Sequence, residues 1–122
     1  MEISLDAPSG KYQIQSYESG RIIINQTPYQ GCILLSPDQL ETLDSIQKVT
    51  DISQQQLKEW RLLDHEVVIL GTGKTLEFPD WGLLEAAQLI GRPLEVMATD
   101  AACRTFTILA SEGRKVLALL LI

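Results

Sequence analysis

Val67-Val68-Ile69-Leu70-Gly71-Thr72-Gly73 is the stretch on which the fold turns. Four consecutive apolar residues, three of them β-branched, match a strand covered on both faces, since a strand with one wet face alternates apolar and polar positions. The run predicts a strand from Glu66 to Leu70 that is central in its sheet and ended by the two glycines.

Working outward toward the C-terminus, a proline-containing loop leads to Trp81–Ile90, which reads as a helix closed by Gly91, and Pro93 prevents continuation. Leu94 to Met97 reads as a short strand. Thr99 is placed to cap a helix from Asp100 to Ser111, Gly113 stands just past its end, and Lys115 to Leu121 is a final apolar strand. Toward the N-terminus, Ser53 is a candidate cap for a helix over Gln54 to Leu62, with Leu57 and Trp60 on one face. Helices alternating with strands favour a mostly parallel or mixed sheet with helices on its faces.

The first third has a different texture. Lys11 to Tyr17 and Arg21 to Ile24 are rich in β-forming residues and flank Glu18-Ser19-Gly20, a turn; Asn25 to Pro28 punctuates the chain before a third run, Tyr29 to Leu35. These predict an antiparallel three-stranded meander with an edge to protect. Ser36-Pro37-Asp38 resembles a helix start, whereas Thr42 to Ile46 fits a short strand equally well, so that segment has two readings.

Composition bounds the function classes. The 122 residues match one domain over 1–122, with 45% apolar and 21% charged residues. A formal charge of −6, with basic residues scattered, opposes nucleic acid and anionic membrane surfaces, so neither is an expected partner. The acidic opening Met1 to Asp6 and the seven-residue apolar limit at Val116 to Ile122 lead to the expectation of a cytoplasmic chain without membrane insertion. Cys32, Cys103 and the single His65 share no ligand spacing; no metal and no cofactor are expected, and both thiols are expected to be reduced and buried.

The run Met97-Ala98-Thr99-Asp100-Ala101-Ala102-Cys103-Arg104-Thr105-Phe106, followed by Glu112-Gly113-Arg114 and an apolar C-terminal strand, resembles the signature of the Mth-like domain family of unknown function. The strand ending in Gly71-Thr72-Gly73 is similar as well. The family is shared with mitochondrial complex I assembly factor three, the adipogenesis-associated Mth-domain protein and many small prokaryotic proteins. Family members commonly carry Asp, Tyr and Asn where this chain has Ala98, Phe106 and Thr107, so polar roles at those positions do not transfer. The resemblance implies an α/β, three-layer fold: a central mixed sheet of about five strands, helices on its faces and an added N-terminal antiparallel β layer. It implies no reaction and no catalytic residues; respiratory complex assembly is the role of the mitochondrial branch.

Two constellations invite chemistry. Gly71-Thr72-Gly73-Lys74-Thr75 ends like a phosphate-binding loop, but Val68 stands where its first glycine belongs and no helix follows Thr75. Gly71, Thr72 and Gly73 are then either a tight turn or, with Thr99 and Arg104, one wall of a crevice for a small molecule or anion. For Arg104 the competing reading is an ion pair with Asp100 one turn earlier. Glu112 and Arg114 flank Gly113, where an acid near a helix C-terminus wants a partner, either Arg114 or another chain. Cys103 with His65 would be needed for nucleophilic catalysis, and no local spacing joins them. The reading favoured is a non-catalytic interaction module with a protein partner, with homo-oligomer formation left open; the alternative is a ligand-binding protein or enzyme using the Gly71–Gly73 and Thr99–Arg104 crevice.

Overall fold

The structure is a computed structural model describing residues 10–18 and 20–122. The expected turn residue Ser19 and the acidic opening of the chain lie outside them. Among the described residues eight strands form two sheets. The smaller is antiparallel in the order β1 (Ile14–Glu18), β2 (Arg21–Ile24), β3 (Thr27–Tyr29). The larger has the order β5 (Leu40–Thr42), β4 (Cys32–Leu35), β8 (Val116–Leu121), β6 (Val67–Gly71), β7 (Leu94–Met97). It is mixed: β6 runs parallel to β7 and β8, while β4 is antiparallel to β8 and β5. The expected α/β fold with a five-stranded mixed sheet and an added antiparallel layer is present.

Two apolar cores sandwich the larger sheet. On one face Val68, Leu70, Leu117 and Leu119 meet Leu57 of α1 (Gln54–Glu59) and Leu83 and Ala87 of α2 (Trp81–Ile90). On the other face Ile69, Ala118 and Leu120 meet Ala102 and Phe106 of α3 (Thr99–Ser111), with Ile22 and Ile24 of the small sheet completing the layer. Every residue of β8 is buried. Each such Leu, Ile or Phe contributes about 1.5–3 kcal/mol relative to exposure.

Local sequence explains the helix ends. Ser53 Oγ accepts the Gln56 amide at 3.2 Å and Gln56 Oε1 accepts the Ser53 amide at 2.9 Å, a reciprocal cap on a helix of only six residues. Asp80 Oδ1 accepts the Leu83 amide at 2.9 Å, and Gly91, at φ 108°, closes the far end of α2 in the left-handed region.

Four expectations are corrected. The third run of the meander is not one strand: Asn25 and Gln26 both take positive φ, forming a two-residue hairpin turn that brings Thr27 and Pro28 into β3. Gly31, at φ 82°, then redirects the chain so that Cys32–Leu35 joins the larger sheet. Pro28 is tolerated because β3 is an edge. Ser36 starts no helix; its hydroxyl accepts the Asp38 and Gln39 amides and closes the β4–β5 hairpin, and β5 ends at Thr42. The strand Val67–Gly71 is flanked on both sides, yet the middle position belongs to the longer apolar run of β8. Finally, Thr99 lies inside α3, whose N-cap is Ala98 and has no side-chain cap bond.

Candidate functional site

The C-terminal ends of the parallel strands are where ligands bind in open α/β sheets. Here Gly71 ends β6, Met97 ends β7, Leu121 ends β8, and Thr99 begins α3. Thr99 is fully buried and ties three of these together. Its Oγ1 accepts the Gly73 amide at 2.8 Å, its hydroxyl donates to the Leu121 carbonyl at 2.6 Å, and its own amide donates to the Gly73 carbonyl at 2.9 Å. The Thr72 amide donates to the Met97 carbonyl at 2.9 Å, while the Thr72 hydroxyl donates to the Thr75 carbonyl and accepts the Glu77 amide. Gly71 has room for nothing more: a Cβ there would stand 3.0 Å from Ala102 Cβ, Leu120 Cδ2 and Thr99 Oγ1. Gly73, by contrast, is needed for its backbone, with φ 108°. Gly71, Thr72, Gly73 and Thr99 thus meet in one place, where Thr99 is bonded to Gly73 and Leu121, and Thr72 to Met97, Thr75 and Glu77.

Arg104 is not part of that cluster. Its exposed Nη1 lies 3.6 Å from Asp100 Oδ2, and it lines a groove of about 460 Å³ between β1 and α3 with Tyr17, Asp100, Cys103 and Thr107. Burial, then the neighbouring Asp100, push the Cys103 thiol up to about 12 against the opposing pull of Arg104. A thiolate is therefore scarce at neutral pH. Cys32 is likewise pushed up to about 12 by burial, and packs on the opposite face of the sheet from Cys103. Both thiols are free and buried.

At the opposite end of the strands α3 closes with Glu112 and Gly113, the latter at φ 79°. Arg114 Nε donates to Glu66 Oε1 at 2.7 Å, so its ion pair is with the residue preceding β6 and not with Glu112. That hydrogen bond holds the Glu66 carboxyl below its ordinary range. Arg114 also lines a groove of about 570 Å³ with Trp60, Arg61, Asp64, His65 and Lys115. His65 Nδ1 is buried there without a hydrogen-bond partner among the described residues. Burial lowers the proton affinity of His65, opposed first by the Arg61 backbone and then by Asp64, with Lys115 adding to the lowering. His65 and Cys103 line different grooves. Among the described residues no group of three or more His, Cys, Asp and Glu is arranged to hold a metal ion, and no helix is long and apolar enough to cross a membrane.

Sequence reasoning missed the groove around His65, because Arg61, His65 and Arg114 converge only through tertiary contacts. Trp60 is half-buried against the α1–α2 core, and Trp81 is 77% exposed.

Residues 14–121 match the family described as protein of unknown function (DUF498/DUF598). The chain belongs to this family. A relative called a 13 kDa major membrane protein, from Francisella tularensis, is 30% identical over 84% of this chain and 84% of its own length. The zebrafish (Danio rerio) NADH dehydrogenase [ubiquinone] 1 alpha subcomplex assembly factor 3 is 36% identical over 83% of this chain. This chain spans only 59% of that relative's length. Among solved structures, the Xanthomonas campestris protein XCC1710 has a TM-score of 0.82 at 28% identity, covering 100% of this chain and 92% of that one. A Bordetella pertussis protein described as a Mth938-like domain shares the fold with a TM-score of 0.75 at 24% identity, over 99% and 92% of the two chains. The resemblance to the Mth-like family and to complex I assembly factor three is therefore shown.

Proposed function

We propose that this chain is a non-catalytic interaction module that serves the assembly or maturation of a respiratory or membrane complex from the cytoplasmic side. The observation carrying this reading is the relationship to assembly factor 3, which extends over 83% of the chain. Two features support it. The polar side chains at the C-terminal ends of the strands, the usual ligand end, are engaged in internal bonds. The buried thiols, pushed up to about 12, are poor nucleophiles. Arg114, which lines the larger groove, and Glu112, at the C-terminal end of α3, are the contact residues this reading nominates.

The alternative, a ligand-binding protein or enzyme using Gly71, Thr72, Gly73, Thr99 and Arg104, draws support from Arg104 lining a groove. Its weakness is that this groove is built from β1 and α3 and includes none of the other four residues.

The test is deletion of the gene, with membrane complexes quantified on native gels. Loss of one assembled complex while its subunits are still synthesised, restored by the wild-type gene and not by an Arg114→Ala variant, is the expected result. Normal amounts of every respiratory complex in the deletion strain overturn the assembly role.

A further inference from the structure

Apolar side chains left in water mark the face carried by α1 and α2. Phe78 is 67% exposed, Trp81 77% and Leu89 81%, with Leu76 half in solvent. Leu76, Phe78 and Trp81 fall within six residues, and Trp81, Glu85 and Leu89 follow at successive four-residue steps, so they share one face of α2. Buried Pro79 holds the preceding loop to the body while Phe78 faces solvent. Alongside runs a groove of about 280 Å³ between the two helices, with small Gly82 and Ala86 among its lining and Gln54, Lys58 and Leu89 beside them. A monomeric protein seldom exposes a tryptophan, a phenylalanine and two leucines in one neighbourhood unless they meet a partner.

The charges indicate which partner. A carboxylate interleaves with nearly every exposed apolar residue: Glu77 between Leu76 and Phe78, Asp80 before Trp81, Glu85 between Trp81 and Leu89. Lys58 and Lys74 are the nearby cations. A second copy would bring the same carboxylates and the same net charge of −6, and an anionic lipid surface would be repelled likewise. Complementarity calls for apolar side chains interspersed with Lys or Arg.

We propose that the α1–α2 face, with Phe78, Trp81 and Leu89 as anchors and Glu77 and Glu85 as the charged rim, docks a basic amphipathic helical segment of a partner protein. The proposal rests on the interaction-module reading and names the chemistry of its partner.

The test uses the full chain and a synthetic leucine–lysine amphipathic helix of about 18 residues, long enough to hold helix in isolation. Its leucine–glutamate counterpart and anionic phospholipid vesicles serve as the other two arms. Binding is followed by tryptophan fluorescence and by amide chemical shifts. The expected result is saturable binding of the lysine peptide alone, with shifts concentrated at residues 76–89. Binding weakens about tenfold or more in Trp81→Ser with Leu89→Ser, and also falls in Glu77→Gln with Glu85→Gln, where the anchors remain. All four substituted residues are exposed, and amide spectra verify the fold of each variant. Equal binding of both peptides, preference for vesicles, shifts mapping elsewhere, or absence of binding overturns the proposal. In the deletion strain, full rescue by the folded Trp81→Ser, Leu89→Ser variant would sink the docking face and leave the assembly role standing, whereas a deletion without phenotype removes the assembly role itself.

Discussion

The two ends of the parallel strands have been treated in opposite ways. At the C-terminal end, Gly73, Thr99 and Leu121 hold one another through a single buried hydroxyl, and Gly71 admits α3 at van der Waals distance. At the N-terminal end, Trp60, His65, Arg114 and Lys115 surround an open groove, and an imidazole nitrogen goes unpaired among the described residues. An α/β sheet ordinarily keeps its carboxyl end open for a ligand. Here that end is sealed by short polar side chains and close packing, which makes it a rigid joint between helix and sheet.

The sharpest way to break this contrast is Thr99→Val, which keeps the shape and strands both the Gly73 amide and the Leu121 carbonyl. It should cost about 2–6 kcal/mol in denaturant unfolding, from roughly 1–3 per abandoned buried group, with much of the loss recovered by Thr99→Ser. A cost below that of Thr99→Ser would show the hydroxyl to be incidental. Next comes Gly71→Ala, expected to lose about 1–3 kcal/mol because the new methyl meets three neighbours at 3.0 Å. Gly73→Ala, with open space around it, acts through its left-handed backbone instead, and comparing the two separates packing from conformation.

The smallest effect belongs to the open end. Folding lowers the proton affinity of His65 from its ordinary value near 6.5, so the unfolded chain takes up the proton first as pH falls. Its contribution is intact above that value and declines below it, with the unfolded state binding more protons. Urea midpoints at about pH 7.5 and about pH 5.5 should differ more for the wild type than for His65→Gln. Glu66 and Asp51, whose carboxyls lie below their ordinary range, stay charged through that window. An equal pH dependence in both proteins would mean that the imidazole is solvated when folded.

Legibility followed the range of the interactions. The Ser53 cap, the Trp81–Ile90 helix with its Gly91 stop, and the strands at Val67 and Val116 were readable because periodicity and capping act within a few residues. The break at Gly31 was not. Cys32–Leu35 looks like a continuation of the meander until β8, some eighty positions later, supplies the neighbour that claims it. The exposed Trp81 and Leu89 eluded the same reasoning, since an apolar residue at helical spacing has one signature whether it faces core or solvent.

Residue order along the chain is enough to settle the alternation of helix and strand, the apolar core runs and, through ordered blocks from Gly71 to Arg114, membership of the family. Tertiary structure alone decided that Thr99 bridges residues 22 and 26 positions away, that Arg114 chooses Glu66 over Glu112, and which apolar side chains remain in water. The physical reason is that helix caps and strand periodicity are set by neighbours along the chain, whereas a buried hydroxyl or a charged rim takes its partners from whichever distant segments the packed sheet brings beside it.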